Sequence, residues 1–177
     1  MLKIYPLIVL LLLAHSLVAQ QKWRNKPAQS EITYTMKHWV HTWSGTSHAL
    51  TCVMETDAAG WVQRVAGLVK IKSFDSKNSN RDSHMLEVTE AIVHPNISFE
   101  SVSVTPLENN RYKIAGTLSF HGVQKPIQLV MTETRSKDQH LFIGSFSFLL
   151  DDFKIDRPTF MMVKTENEVK VDLKIVF

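Results

Sequence analysis

The sequence predicts an all-β protein, an antiparallel barrel or sandwich of about eight strands with one short helix. Apolar residues recur at every second position along most of the chain, as at Ile32, Tyr34 and Met36, which is the period of half-buried strands. Turn sequences such as Asp57-Ala58-Ala59-Gly60 separate the alternating segments. One stretch lacks the alternation, and its composition favours a helix from about residue 80 to about residue 90.

The other alternating segments each carry apolar residues two positions apart. They run from Leu50 to Met54, Val65 to Ile71, Ile97 to Phe99, Ile114 to Phe120, Ile127 to Met131, Phe142 to Leu150 and Val169 to Phe177. The expected helix begins where Ser79 and Asp82 stand at the spacing of a capping box. Alternation alone does not show whether the interior is a solid core or a cavity. A barrel of about eight strands is either filled by its own side chains or holds one small ligand.

The N-terminus has the pattern of a secretory signal peptide. Lys3 precedes an apolar run that extends to Ala14, and small residues up to Ala19 precede the polar Gln20. The run is shorter than the roughly 20 residues that a membrane-spanning helix needs. We therefore expect residues 1–19 to be removed by cleavage near Ala19, and residues 20–177 to form one exported domain that is periplasmic or secreted.

Charge and cysteine content exclude several classes of function. The net charge is +3, and the basic residues are scattered among acidic ones, so no face is predicted to follow a nucleic-acid backbone. Cys52 is the only cysteine, which rules out an intrachain disulfide. We expect this thiol to be a small buried side chain.

The sequence predicts neither a metal site nor a catalytic site. His38, His41 and His48 lie close together along the chain, but no acidic or cysteine ligand follows at a usual spacing. Hydrogen bonds that hold the loop are the better interpretation of these histidines. Residues 45–49 lack the second glycine and the strand-to-helix setting of a nucleophile elbow.

Several segments, taken together, resemble the YceI-like family, which is described as polyisoprenoid-binding, lipocalin-like proteins exported by bacteria. Arg81-Asp82-Ser83-His84-Met85 is similar to the family's Arg-Asp-x-His-Leu helix, and Pro95-Asn96-Ile97-Ser98-Phe99 to its Pro-x-Ile-x-Phe strand. The remaining matching segments are residues 30–38, 43–46, 116–127 and 152–155. The resemblance extends from Ser30 to about Ile175. Residues 87–93 depart from it, because the family commonly has aromatic residues there.

The resemblance implies an extended lipocalin-like barrel with an apolar tunnel that binds an isoprenoid lipid, such as a polyprenyl or quinone chain. Its expected lining is the inward-facing alternating set, about half of which is expected to fill the barrel ends. That set is Ile32, Tyr34, Met36, Val65, Val69, Phe99, Leu118, Phe120, Leu129, Phe146 and Phe148. Arg81, Asp82 and His84 are placed at the barrel mouth, to hold a head group or form a catalytic dyad. We favour a structural role, in which Asp82 caps the helix or pairs with Arg81 or a nearby lysine.

The function expected from the resemblance is binding of this lipid, with carriage or storage in the periplasm, and no enzymatic activity. A bound isoprenoid or quinone would be its ligand, with no other cofactor. A structural or partner-binding barrel without a ligand is the first alternative, and an enzyme that modifies a lipid is the second. A membrane or redox partner stays open, and the oligomeric state is not predicted.

Overall fold

The computed structural model describes residues 20–137 and 139–177. The predicted signal peptide, residues 1–19, lies outside this part, so its cleavage near Ala19 stays a prediction. Within the described ranges, no helix is both long enough and apolar enough to cross a lipid bilayer.

Most of the chain forms one ten-stranded antiparallel sheet. Its strands are β1 (Gln21–Arg24), β2 (Glu31–His38), β3 (His41–Ser47), β4 (Thr51–Thr56), β5 (Val62–Lys70), β6 (Asn96–Leu107), β7 (Arg111–Phe120), β8 (Val123–Ser136), β9 (Gln139–Leu149) and β12 (Glu168–Val176). A small hairpin, β10 (Thr159–Phe160) and β11 (Val163–Lys164), stands apart. One α-helix, α1, spans Ser79–Val88, and three 3₁₀ turns span Pro27–Gln29, Ile71–Ser73 and Asp151–Phe153.

The sheet curls so that its two edges approach each other. Its order is β1-β4-β5-β6-β7-β8-β9-β12-β2-β3, and β3 at one edge leads directly into β4 near the other. The backbone of Thr46 in β3 exchanges two hydrogen bonds with Asp75, beyond the end of β5, at 3.1 and 3.0 Å. The expected antiparallel barrel with one short helix is confirmed. β1 and β3 are the strands of this sheet that the alternation does not reveal, because one is short and the other is mostly polar.

The ends of the curled sheet differ. At one end, which we call the α1 end, lie the β2–β3 turn, the β7–β8 turn, the hairpin β10–β11 and α1, which connects β5 to β6. The opposite end carries the β4–β5, β6–β7 and β8–β9 turns. Two clusters of buried apolar residues fill the interior toward these ends, one around Phe120 and Phe153 and the other around Tyr112 and Phe142.

The helix α1 begins one residue earlier than the predicted capping box requires. Asn78 is the N-cap, and its side-chain oxygen accepts a hydrogen bond from the Arg81 backbone N–H at 3.1 Å. The Asp82 carboxylate accepts from the Ser76 backbone N–H instead, at 3.1 and 3.3 Å. The capping-box assignment to Ser79 is therefore wrong, because asparagine is as good a cap as serine and occupies the preceding position.

A buried carboxylate stabilises the end opposite α1. The Glu133 side chain is 1% exposed, and it accepts hydrogen bonds from the Tyr112 hydroxyl at 3.1 Å and the Arg135 Nε at 2.8 Å. The His140 Nδ1 contacts the same carboxylate at 2.7 Å. Burial pushes the pKa of Glu133 up, but the hydrogen bonds from Arg135 and His140 outweigh burial and lower the pKa below its usual value.

We expect Glu133→Gln to reduce the free energy of unfolding by about 1–3 kcal/mol near neutral pH, since it removes the charge that satisfies three donors. A carboxyl group whose pKa is lowered by folding stabilises the fold above its unfolded pKa, and this stabilisation is lost as the pH falls through the folded value. The difference between wild type and Glu133→Gln should therefore shrink as the pH drops below the usual 4.5. Urea unfolding at a series of pH values measures it. Glu108→Gln, at an exposed turn position, is the control and should leave stability unchanged; equal stability of both variants at neutral pH would contradict the assignment.

Candidate functional site

The curled sheet encloses an apolar cavity with a volume of about 220 Å³. The wall is built by the inward-facing residues of the strands, because residues directly opposite each other on neighbouring strands share one face. Phe99 pairs with Leu118 across β6 and β7, and Tyr34 pairs with Val171 across β2 and β12. The helix α1 supplies part of the remaining wall.

The structure brings the whole predicted lining set to this cavity. The set is Ile32, Tyr34, Met36, Val65, Val69, Phe99, Leu118, Phe120, Leu129, Phe146 and Phe148. Period-two alternation places these side chains inward, and the curl of the sheet then aims them at a common space. Their contact with a ligand stays a prediction.

The cavity wall also contains residues that the predicted lining set omits. Met54 and Met131 belong to strands whose alternation already marks them as inward-facing, so this signal was available. Met85 lines the cavity from α1, where strand periodicity gives no information. Together with Met36 these side chains surround the cavity with long, unbranched groups that adapt to irregular shapes.

Gly67 leaves an unfilled place in the wall. It pairs with Cys52 on β4 and with Phe99 on β6, so its missing side chain would point inward. A Cβ atom built there would lie 3.9 Å from the Leu50 Cδ1 atom, an ordinary van der Waals distance. The position can accept a larger side chain, and that side chain would occupy the cavity.

The predicted mouth residues divide into two groups. Arg81 and His84 line the cavity from α1, and the Arg81 guanidinium lies 5.5 Å from the centre of the Trp43 ring. Asp82 is absent from the described wall; its carboxylate binds the Ser76 backbone instead. For Asp82 the structural interpretation is thus the better one.

Exposure locates the opening of the cavity. The wall residues on α1 are partly or well exposed, as at Arg81 and His84. Wall residues near the opposite end, such as Tyr112 and Phe142, are at most 5% exposed. The greater exposure of the wall residues on α1 favours an opening of the cavity beside α1, at the end away from Glu133.

Two potential nucleophiles in the wall, Cys52 and Tyr34, are protonated at neutral pH. Burial raises the pKa of the Cys52 thiol to about 12. Burial also raises the pKa of the Tyr34 hydroxyl to about 12, and the nearby Asp82 charge adds to this effect. Neither side chain is a thiolate or phenolate nucleophile under physiological conditions.

Two of the three histidines singled out from the sequence, His38 and His48, contact backbone carbonyl groups of other segments. His48 Nδ1 lies 3.1 Å from the Ser30 carbonyl oxygen, and His38 Nε2 lies 3.2 Å from that of Val163. A different set, Glu90, His94 and His121, places its ligand atoms within 4.8 Å of one another. Sequence spacing does not reveal that set, because His121 comes from a separate turn.

Comparison with solved structures shows where this architecture occurs. The chain is similar to BcnA of Burkholderia cenocepacia, with 16% identity, a TM-score of 0.79 and coverage of 86% of this chain and 99% of that one. It is also similar to a polyisoprenoid binding domain from Saccharophagus degradans, with 11% identity, a TM-score of 0.70 and coverage of 90% and 97%. The YceI protein of Campylobacter jejuni matches at 22% identity and a TM-score of 0.63, covering 72% and 80%.

Sequence comparison adds two findings. A UPF0312 protein of Azotobacter vinelandii is 29% identical over 100 residues, which is 54% of this chain and about half, 52%, of that protein. The family model described as YceI-like domain matches residues 23–177, the part of the chain that forms the curled sheet and its cavity. The chain belongs to the YceI-like domain family.

Proposed function

We propose that this protein binds an isoprenoid lipid, a polyprenyl or quinone chain, inside its barrel, and carries or stores that lipid in the bacterial periplasm. The observation that carries the proposal is the enclosed cavity, whose wall is apolar except beside α1. An isoprenoid chain has no hydrogen-bonding groups along its length, so it needs no polar partners in the wall. A structural neighbour described as a polyisoprenoid binding domain supports the choice of ligand.

The cavity is small for a long lipid chain, so a bound chain would need the wall to expand. Pockets for compact small molecules measure about 300–1,000 Å³, whereas this cavity measures about 220 Å³. Each buried CH₂ group contributes about 0.8 kcal/mol, so a thin chain gains affinity by extending along the barrel. The wall methionines can shift to admit more of it, since their side chains have three flexible bonds.

The chemistry of the wall supports binding instead of catalysis. Covalent catalysis needs a nucleophile activated by a neighbouring base. The Cys52 thiol and the Tyr34 hydroxyl both have pKa values near 12, so neither is ionised at neutral pH. Arg81 and His84 at the opening are suited to holding a polar or anionic head group.

The opening also suggests a membrane as the partner from which the lipid comes. Three turns at the α1 end expose large apolar side chains, which a solvated turn seldom carries. They are Trp39 and Val40 between β2 and β3, Ile92 and Val93 after α1, and Met161 and Met162 between β10 and β11. Because these turns surround the end at which the cavity opens, they can enter the interface of a bilayer while the lipid moves into the barrel.

We expect Gly67→Phe to weaken isoprenoid binding by at least about tenfold, because the ring would occupy the cavity. The protein should remain folded, since the glycine has ordinary backbone angles and space in front of it. Native mass spectrometry and titration with a polyprenyl phosphate or an isoprenoid quinone measure stoichiometry and affinity.

The matched control is Ala66→Phe on the same strand, whose side chain is exposed and points away from the cavity. It should bind as the wild type does. Equal binding by Gly67→Phe would place the ligand outside the barrel. No binding to wild-type protein from any of these lipids would favour the structural or partner-binding alternative.

Replacing the apolar turn residues should slow the transfer of lipid from a membrane without altering affinity for lipid in solution. The test variant combines Trp39→Ser, Ile92→Ser and Met162→Ser, and transfer from quinone-loaded vesicles should slow by about tenfold. A control variant combines Trp61→Ser, Val102→Ser and Ile143→Ser, which are also exposed apolar residues but lie away from the α1 end. Unchanged transfer in the test variant, or equal slowing in both, would show that the α1 end is not the docking surface.

A further inference from the structure

Glu90, His94 and His121 form a cluster of ligand atoms outside the cavity wall. Glu90 Oε2 lies 3.1 Å from His121 Nε2 and 4.0 Å from His94 Nε2. The two imidazole rings meet edge to face, with centres 5.2 Å apart. Two histidines and a carboxylate are a common ligand set for zinc.

The hydrogen bond on the far side of His121 fixes which nitrogen can act as a ligand. His121 Nδ1 lies 2.9 Å from the Phe153 carbonyl oxygen. A carbonyl oxygen only accepts, so Nδ1 must carry the hydrogen, and the neutral ring then presents a lone pair at Nε2. That lone pair faces the Glu90 carboxylate, which is also an acceptor. A cation between them, either a proton or a metal ion, is needed to make the 3.1 Å contact favourable.

A backbone carbonyl that holds the far nitrogen is the usual support of a metal-binding histidine. Such a contact orients the ring and makes the free nitrogen a better ligand. The His121 side chain is only 12% exposed, whereas Glu90 is 59% exposed. One ligand is thus fixed within the protein and another is open to solvent, so that an ion can enter.

The β7–β8 turn brings the rings together. His121 and Gly122 both have positive φ angles, +50° and +70°, as a two-residue type I′ turn between Phe120 and Val123 requires. The absence of a side chain at Gly122 makes room for the His94 ring, since a Cβ there would lie 2.8 Å from the His94 Cε1 atom. Gly122 therefore allows the two histidines to approach.

We propose that Glu90, His94 and His121 bind one divalent transition-metal ion, with Zn²⁺ as the best fit, and that water completes its coordination. Zinc–ligand bonds of about 2.0–2.2 Å hold ligand atoms roughly 3.3 Å apart in a tetrahedron. The contact between Glu90 and His121 already has about this length. A shift of the half-exposed His94 ring by roughly 1 Å completes the set.

The ion would connect the segment that follows α1 to the β7–β8 turn. Glu90 and His94 lie between α1 and β6, and His121 comes from the far end of β7. None of the three side chains belongs to the described cavity wall, so the site does not depend on lipid binding. Its effect would be to hold α1, and with it the cavity opening, against the barrel.

The test is calorimetric titration of tag-free mature protein with Zn²⁺ at pH 7.5, together with its melting temperature with and without the ion. We expect one ion per chain and a higher melting temperature with zinc. His121→Ala and His94→Ala should each weaken zinc binding by at least about tenfold.

His48→Ala is the matched control, because His48 is an exposed histidine whose Nδ1 lies 3.1 Å from the Ser30 carbonyl oxygen, and it belongs to no metal-ligand group among the described residues. It should bind zinc as the wild type does. The proposal fails if wild-type protein shows no stoichiometric binding, if binding survives His121→Ala, or if binding disappears in His48→Ala. Lipid binding by the same samples is measured separately, so a negative result for zinc leaves the function of the cavity unaffected.

Discussion

The apolar inner face of one sheet determines the rest of this structure. A sheet with one apolar face needs a second layer to cover it, but the described chain offers one short helix and a small hairpin. The sheet satisfies the requirement by curling until its inner face packs against itself. Curling a sheet of ten strands leaves more interior than its inward side chains fill. The cavity is therefore a consequence of how the apolar face is buried.

Glu133, Arg81 and His84 lie at the two ends of the barrel, because an unpaired charged group in the apolar wall would be costly. At the end opposite α1, Glu133 is compatible with burial since Tyr112, Arg135 and His140 surround its carboxylate. At the α1 end, Arg81 and His84 remain partly or well exposed and need no such network. In the proposed function, a ligand tail lies toward Glu133 and a head group stays beside α1.

The sequence predicts the wall well and the ends poorly, for a physical reason. Alternation is local, so Ile32, Val69 and Phe120 are identifiable without knowledge of the fold. The same alternation identifies Met54 and Met131 as inward-facing, although the predicted lining set omits them. The Glu133 network and the cluster of Glu90, His94 and His121 depend on contacts between distant turns, which no local period encodes. For Asp82 the favoured structural role takes another form than a helix cap, because its carboxylate binds a backbone N–H of the preceding loop.

The division between wall and ends also indicates where specificity can change. Most wall residues lie on strands that are paired with their neighbours, so replacing one alters packing along the barrel. The turns at the α1 end lie outside the hydrogen-bonded strand pairs, so they tolerate substitution more readily. Exposed Ile92 and Met162, the opening residues on α1 and the histidine pair all belong to this end. In the functions proposed above, ligand capacity depends on the barrel, whereas access, docking and control by a bound ion depend on the turns at the α1 end.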